Sequence, residues 1–167
     1  MSTPNYYDQI AASYNELHGK EQLAKAAIVA KMLAIKKSEL ILDVGCGTGL
    51  ASSLLDCRKI GIDTSEMLLK QAAMPTVIAS AEQIPFPDKS FDHCVCISSI
   101  HNFANPRKAL SEMIRVTKRS AVISVLRKSP RAAMLLKMVR RCKVLNEAAE
   151  QHDIVIHIAI PKIYKSP

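Results

Sequence analysis

A mostly apolar stretch that runs directly into three closely spaced glycines constrains this chain more than any other feature. Residues 40–44 read Leu-Ile-Leu-Asp-Val and are followed by Gly45, Gly47 and Gly49. The stretch predicts a strand, and the glycines predict a tight turn that a ligand can approach closely, because a Cβ would stand in its way. A second apolar run ends in Asp63, whose carboxylate is suited to accept hydrogen bonds from a ribose diol. Together these features predict a site for a ligand with a nucleoside end.

The spacing of the glycines argues against two common nucleotide sites. Dinucleotide-binding turns carry G-x-G-x-x-G, whereas this chain has G-x-G-x-G followed by Leu50. Asp43, two residues before the first glycine, would repel a pyrophosphate and would suit a ligand with a cationic amine. No G-K-[ST] follows the turn, so a phosphate-binding loop is excluded as well.

Strand and helix patterns alternate along the chain, which predicts an α/β fold with a parallel sheet and helices on both faces. Asn105-Pro106 predicts the start of a helix that ends near residue 116, because asparagine caps helices and proline is favoured at their first position. Ser129-Pro130 repeats this signal for a helix that reaches toward residue 150. A first helix is predicted over 20–36, with an apolar face of Leu23, Ala27, Ala30 and Leu33. The predicted strands cover 40–44, 59–63, 76–79, 92–98, 120–126 and 154–160.

Four segments in a fixed order resemble a known family of enzymes. They are Tyr7-Asp8-Gln9-Ile10-Ala11-Ala12-Ser13-Tyr14, the turn from Asp43 to Gly49, Asp63-Thr64-Ser65-Glu66-Met67-Leu68, and the run from Ser80 to Asp92 that reads SAEQIPFPDKSFD. Together they resemble the class I S-adenosylmethionine-dependent methyltransferases of the type 11 group, which includes quinone-biosynthesis and tRNA enzymes. The resemblance implies a Rossmann-like, doubly wound, mostly parallel sheet.

The resemblance also implies S-adenosyl-L-methionine as the cofactor and S-adenosyl-L-homocysteine as the product. Carried over position by position, it places the cofactor against Tyr14, Asp43, Gly45, Cys46, Gly47, Gly49, Asp63, Thr64, Met67, Ser80, Ala81, Glu82 and Ser98. Ser80 stands where the family usually has an acid beside the adenine amino group. A neutral hydrogen bond then replaces a stronger charged one, so we expect a modest cofactor affinity.

His101 is the candidate general base, because an imidazole accepts a proton near neutral pH. It follows the predicted fourth strand in Ser98-Ser99-Ile100-His101, and the carboxyl ends of the strands are where substrates bind in such sheets. The alternative is that His101 only ends the strand and packs beside the cofactor. No N-P-P-Y or D-P-P-Y motif is present, which argues against methylation of an exocyclic amine by that arrangement.

The net charge of +8 is unevenly distributed. Residues 107–143 carry 12 Lys and Arg against Glu112 alone, a net charge of +11. This basic block could neutralise several phosphates of an RNA. Two solvated helix faces, an anionic membrane surface and an acidic partner are the alternatives, and no aromatic residue between Phe103 and Tyr164 offers a stacking platform.

Residues 1–167 are predicted to form a single domain with a shortened C-terminal part. After residue 126 only 41 residues remain, so the sheet is expected to have six strands, or seven if a hairpin bends near Pro161. The five cysteines show no metal-ligand spacing, and Cys94 and Cys96 are expected to pack on one face of a strand. No metal is expected. With no membrane-spanning run and no signal peptide, a cytoplasmic location is expected.

Three classes of function remain open at this point. The first is a methyltransferase with a small or lipid-like acceptor, and the second is a methyltransferase of RNA or of a translation protein. The third is a cofactor-binding module without catalysis. Residues 76–79 would form an exposed apolar sheet edge, which is a hazard unless it is covered. A small activator subunit, as in some relatives, or a second copy of the chain would cover it.

Overall fold

Parallel pairing of successive strands organises the central sheet. The computed structural model describes residues 13–162. In chain order the elements are α1 (Tyr14–Leu33), β1 (Leu40–Val44), β2 (Arg58–Asp63), α2 (Glu66–Leu69), β3 (Thr76–Ile78), β4 (Phe91–Cys96), α3 (Pro106–Val116), β5 (Thr117–Leu126), α4 (Ala132–Val139), β6 (Lys143–Ala149) and β7 (Asp153–Ala159). Short 3-10 turns lie at Leu50–Ser52 and Ile100–Asn102.

The seven strands of the described residues have the order β3-β2-β1-β4-β5-β7-β6. The strands from β3 to β5 pair in parallel, whereas β7 is antiparallel to both of its neighbours. The direction in which the chain winds reverses between β1 and β4, and ligands bind beyond the carboxyl ends of the strands at such a point. The prediction of a doubly wound, mostly parallel sheet is confirmed.

Helices cover both faces of the sheet, as the sequence predicted. Neighbouring residues of β1 show this, since Ile41 and Leu42 are both fully buried but belong to separate apolar clusters. Ile41 packs with Val29 of α1, and Leu42 belongs to the cluster that contains Met113 of α3 and Leu135 of α4. Strands buried on both faces explain the continuous apolar runs in the sequence.

The predicted packing of the cysteines in strand β4 is confirmed. Cys94 and Cys96 are fully buried in one apolar cluster, and burial raises the pKa of both thiols. All five cysteines are free. The two buried thiols are therefore uncharged packing groups at neutral pH.

The prediction of a helix that reaches from Ser129 toward residue 150 was wrong in its second half. Helix α4 ends at Val139, and residues 143–149 form strand β6. A turn closed by the Glu150 N–H, which donates to the Asp153 carbonyl at 2.9 Å, folds β6 back onto β7. Strand β6 is exposed along almost its whole length and has no alternating pattern, so its pairing with β7 defines it. The additional strand is therefore β6, which precedes the final strand β7. The sequence had instead placed a possible hairpin near Pro161.

Helix α1 begins earlier than predicted and buries a different face. It runs from Tyr14 to Leu33, whereas the prediction was 20–36, and it ends where Ala34 turns left-handed. Leu23 is 44% exposed and Ala27 is exposed as well, although both belonged to the predicted apolar face. Lys25 is instead fully buried, because it pairs with Asp153 of β7. The ion pair with Asp153 therefore determines which face of α1 is buried, and the apolar spacing does not.

A cluster of polar residues lies near the amino ends of β4 and β5, away from the carboxyl edge of the sheet. The Ser120 hydroxyl lies 2.7 Å from Nδ1 of His93 and 2.9 Å from Nε2 of His157, so it links the two rings by hydrogen bonds. Glu39 contacts His93 at 3.6 Å and also pairs with Arg119. Burial lowers the pKa of both imidazoles, and for His157 the charge of His93 acts in the same direction.

These lowered pKa values predict that the fold loses stability as the pH falls below about 6.5. Below that value the unfolded chain takes up protons at both histidines, whereas the folded chain resists protonation. The contribution of the pair is therefore present at pH 7.5 and decreases as the pH falls toward 5.5. Thermal melts should show a larger drop in midpoint between these values for the wild type than for His93→Gln/His157→Gln. Equal drops would contradict the assignment.

Candidate functional site

The glycine turn after β1 is held against the end of β2 by backbone hydrogen bonds. The N–H groups of Gly45 and Cys46 both donate to the carbonyl of Ile62, at 2.8 and 3.0 Å. Gly45 has a φ of +69°, and a Cβ added there would lie 2.5 Å from the Cβ of Ser99. The turn therefore needs glycine at this position both for its conformation and for its approach to the segment after β4.

A cavity of about 400 Å³ opens beside this turn, at the carboxyl ends of the strands. Eight of the residues predicted to contact a cofactor line it, namely Gly45, Gly47, Asp63, Thr64, Ser80, Ala81, Glu82 and Ser98. The topology brings them together from the ends of β1, β2, β3 and β4. The structure therefore places residues from separate sequence segments around one space.

Other predicted residues lie beside the cavity without lining it. Gly49 and Cys46 belong to the turn itself, and Cys46 is buried. Met67 is 48% exposed, and its neighbour Leu68 lines the cavity instead, because successive residues of the single-turn helix α2 point in different directions. Residues 1–12 and the Tyr14 side chain lie outside the part of the chain that the structure describes. The next residue, Asn15, accepts a hydrogen bond from the Thr48 hydroxyl at 2.8 Å, so α1 begins beside the turn.

The sequence prediction missed six residues that line the cavity. They are Leu68, Ala79, Ser99, Asn102, Phe103 and Ala104. Ser99, Asn102 and Phe103 follow strand β4, in the segment that the sequence identified only as the location of a base. The sequence signal for these residues was only that they follow a strand at the switch point of the sheet. That signal applies to every residue of the loop and does not single them out.

Asp63 combines two roles at the end of β2. Its Oδ2 accepts from the Gly47 N–H at 2.9 Å, and its Oδ1 accepts from the Ser65 N–H at 2.9 Å. Each carboxylate oxygen can accept a further hydrogen bond, and the side chain lines the cavity. Asp63 therefore fixes the glycine turn and still presents a negatively charged acceptor to a ligand.

Asp43 lies beneath the glycine turn and is only 1% exposed. Burial raises its pKa to about 6, and the nearby Asp63 adds to the rise, whereas Ser52 and Lys59 lower it. Its Oδ2 has no hydrogen-bond partner among the described residues. A buried acceptor without a donor is costly, and Asp43, which was predicted to contact the cofactor, does not itself line the cavity.

Ser80 and Glu82 form a hydrogen-bonded pair on the wall of the cavity. The Ser80 hydroxyl donates to Oε2 of Glu82, and the backbone N–H of Asn105 donates to Oε1 at 3.0 Å. Burial tends to raise the pKa of Glu82, but the hydrogen bonds from Ser80 and the backbone outweigh it and lower the pKa. Glu82 is therefore ionised at neutral pH. This wall of the cavity thus carries a carboxylate, although residue 80 is a serine.

His101 belongs to the 3-10 turn after β4 and does not line the cavity itself. Burial lowers its pKa, with Lys25 and Arg131 acting in the same direction and Asp153 opposing them. Its Nδ1 is buried without a hydrogen-bond partner in the described residues. Arg131 donates to the backbone carbonyls of His101 and Phe103, at 3.3 and 2.7 Å. The imidazole is thus neutral at pH 7 and its loop is fixed from the start of α4.

The basic block of residues 107–143 does not form one continuous surface. Several of its charges are paired, since Arg115 contacts Glu112 and Asp88, and Arg140 contacts Glu147. Lys118 and Arg119 face the polar cluster at the amino ends of the strands. The exposed residues without an ion pair in the described chain are Arg107, Lys108, Arg127, Lys128, Lys137, Arg141 and Lys143. Arg107 and Lys108 lie at the start of α3, and Arg127 and Lys128 follow β5. All four lie at the carboxyl ends of the parallel strands, where the cavity opens.

The edge strand β3 exposes two apolar side chains, as the sequence predicted. Val77 is 37% exposed and Ile78 is 60% exposed. Its free side carries no partner strand among the described residues. Within residues 13–162 no helix is long and apolar enough to cross a membrane, and no cluster of three or more potential ligands could hold a metal ion.

Relatives of known sequence match about two thirds of this chain. An uncharacterized protein of Methanocaldococcus jannaschii is 36% identical over 124 residues, which cover 71% of this chain and 48% of that protein. The demethylmenaquinone methyltransferase of Clavibacter sepedonicus is 30% identical over 128 residues, or 67% of this chain and 52% of that enzyme. The chain thus spans about half the length of these curated relatives.

A solved structure matches the whole fold. It is the complex between the Haloferax volcanii Trm112 methyltransferase activator and a methyltransferase, with a TM-score of 0.80 at 16% identity, covering 96% of this chain and 100% of that chain. At this identity the likeness shows the fold alone. The family model described as "Methyltransferase domain" matches residues 42–125, from the strand before the glycine turn to the end of β5. Since this match covers half of the sequence and every residue that lines the cavity, the chain belongs to the methyltransferase domain family.

Proposed function

We propose that this protein transfers a methyl group from S-adenosyl-L-methionine to a small or lipid-like acceptor and releases S-adenosyl-L-homocysteine. The observation that carries the proposal is the cavity in which the glycine turn and Asp63 meet at the switch point of the sheet. Membership of the methyltransferase domain family supports the same activity.

The residues around the cavity fit this cofactor better than they fit a nucleotide with phosphates. Two carboxylates, Asp63 and Glu82, line the cavity, and no lysine or arginine of the described residues does so. The unpartnered Oδ2 of Asp43 adds a third acceptor beneath the turn. Such a set suits a ligand with hydroxyl groups and positive charge and repels a pyrophosphate. When bound, the cofactor supplies an electrophilic methyl group.

We infer distinct tasks for the residues of this chain. Asp63 binds the ribose hydroxyls, the wall that contains Ser80, Ala81 and Glu82 contacts the adenine, and the glycine turn gives access to the backbone. The remaining task is to orient an acceptor and remove its proton. His101 is the proposed base, because it lies in the turn after β4 next to the cavity-lining Asn102, and its lowered pKa keeps the imidazole neutral at pH 7.

A small or lipid-like acceptor is the first choice, since a similar protein is a demethylmenaquinone methyltransferase. The second candidate is an RNA or a translation protein. Its support is the exposed group of Arg107, Lys108, Arg127 and Lys128 on the same edge of the sheet as the cavity. A cofactor-binding module without catalysis is the third candidate. Cofactor binding without methyl transfer would favour it. The cytoplasm, where both acceptor classes occur, is the proposed location.

We further propose that a small activator subunit pairs with the free edge of β3. The exposed Val77 and Ile78 support this proposal, because an apolar sheet edge is prone to pair with another chain. The solved structure with the same fold is itself a complex with a methyltransferase activator. Pairing with a second copy of this chain is the alternative.

Replacement of Asp63 tests the cofactor assignment. We expect Asp63→Asn to weaken binding of S-adenosyl-L-homocysteine by roughly tenfold, because the charged acceptor is removed while one oxygen remains to receive a backbone N–H. Asp63→Ala should weaken it further. Isothermal titration calorimetry measures both, with NAD as the control ligand that should not bind. Unchanged affinity in both variants would exclude Asp63 as the ribose ligand.

A charge comparison tests the RNA alternative. If RNA binds beside the cavity, Arg107→Gln/Lys108→Gln/Arg127→Gln/Lys128→Gln should reduce affinity for total tRNA. The slope of log affinity against log salt concentration should also become shallower, by about 0.7–0.9 for each phosphate that the variant no longer neutralises. Lys137→Gln/Arg141→Gln is the control, since these residues are also exposed but lie toward the amino ends of the strands. Equal effects of the two variants would indicate nonspecific attraction only, and no effect of either would leave the small acceptor as the proposal.

A comparison of the two sheet edges tests the activator proposal. Ile78→Lys in β3 should reduce affinity for a purified Trm112-type activator at least tenfold, because it places a charge in the proposed interface. Leu145→Lys in β6 is the control, since Leu145 is similarly exposed, at 52%, on the opposite edge. Light scattering of the chain alone would detect pairing between copies. If Ile78→Lys abolishes only a homodimer, self-association replaces the activator as the partner of β3.

A further inference from the structure

A buried ion pair lies behind the wall of the cavity. Nζ of Lys25 in α1 is 3.0 Å from Oδ1 of Asp153 at the start of β7, and both side chains are fully buried. The removal of two charges from water is costly, and a buried pair often stabilises a fold less than apolar packing would. Neither residue lines the cavity or belongs to the segments that resemble the methyltransferase family. The pair therefore needs an explanation beyond packing.

Both members of the pair are linked to Ser98 by hydrogen bonds, although Oδ1 of Asp153 itself makes no hydrogen bond among the described residues. Lys25 donates to the Ser98 hydroxyl at 2.8 Å and to Glu21 at 2.5 Å. The second oxygen of Asp153 accepts from the Ser124 hydroxyl at 2.5 Å, and Ser124 in turn accepts from the Ser98 N–H at 2.7 Å. Ser98 is thus held at its side chain by Lys25 and at its backbone by Asp153 through Ser124.

Ser98 needs this support because of its backbone. Its φ is +56°, a left-handed conformation that residues with a side chain adopt rarely. It lies just after β4 and lines the cavity, and its neighbour Ser99 donates to the Gly45 carbonyl at 2.8 Å. The conformation of Ser98 therefore determines how the segment after β4 meets the glycine turn.

We propose that Lys25 and Asp153 are positioning residues of the methyl-transfer site, which hold Ser98 in its left-handed conformation and thereby fix the cavity wall that follows β4. The inference rests on the proposed function. It assigns to α1 and β7, which lie outside the matched family segment, a direct part in the preorganisation of the cofactor site. The pair also lies close to His101, since the charges of both residues act on that imidazole.

The first experiment removes both charges together, so that neither is left buried alone. Lys25→Met/Asp153→Asn should weaken binding of S-adenosyl-L-homocysteine at least tenfold, as measured by calorimetry on protein shown to be folded by circular dichroism. Glu39→Gln/Arg119→Gln is the matched control, because it removes another ion pair with a buried carboxylate at the amino ends of the strands. The control should keep wild-type affinity. Equal affinity in the wild type and Lys25→Met/Asp153→Asn would overturn the proposal.

Two further variants separate positioning from general stability. Ser124→Ala leaves the ion pair in place but removes the link to the Ser98 N–H, so it should also weaken binding several-fold, and it serves if the double variant does not fold. Ser98→Gly added to Lys25→Met/Asp153→Asn should restore part of the affinity, because glycine adopts a positive φ without steric cost. Absence of both effects would show a purely structural ion pair. If the wild type itself binds no S-adenosyl-L-homocysteine, the proposed function fails instead.

Discussion

The parallel pairing of β1 with β2 is the constraint on which the candidate site depends. It brings the Ile62 carbonyl to the two N–H groups that begin the glycine turn, and it brings Asp63 to the N–H of Gly47. The turn is therefore held by the neighbouring strand and not only by its own sequence. The direction in which the chain winds reverses between β1 and β4, and the cavity lies beside the loops that follow these two strands.

Three carboxylates lie in or beneath this site, and each has a different set of hydrogen-bond partners. Asp63 is stabilised by two backbone N–H groups, and Glu82 by Ser80 and the backbone. Asp43 has an oxygen without a donor among the described residues and a pKa raised to about 6. Both carboxylate oxygens of Asp63 and of Glu82 accept from protein donors, whereas Oδ2 of Asp43 has none in the described chain and its carboxylate is buried. This arrangement of acceptors supports the proposal of a ligand that carries donors and positive charge.

Positive charge has a different distribution. The chain is strongly basic between residues 107 and 143, yet ion pairs and backbone contacts take up about half of these side chains. The fully buried ion pair of Lys25 and Asp153 lies outside this block and joins opposite ends of the described chain. Local charge density in the sequence was therefore a poor guide to where charge acts in the structure.

The sequence could predict the elements whose signals are local. The strand and glycine turn at 40–49, the acid at the end of β2, and the Asn105-Pro106 start of α3 were all predicted, since a short segment with its own side chains specifies each. In α3 the Asn105 side chain indeed accepts from the Lys108 N–H at 3.1 Å. The order of these segments was also enough to identify the sheet type and eight of the residues that line the cavity.

Elements defined by partners distant in the sequence could not be predicted in the same way. Strand β6 has no apolar alternation and exists because β7 pairs with it, and the buried face of α1 is set by the partner of Lys25 on β7. The Met67 side chain lies outside while Leu68 lines the cavity, a choice made by packing within one helical turn. The sequence by itself determined the fold class and the chemical type of the site, because both follow from local pattern. Only the tertiary structure decided which charges pair, how the edge strands form and how the segment after β4 is held. Those contacts join residues far apart in the chain, as the ion pair of Lys25 and Asp153 does.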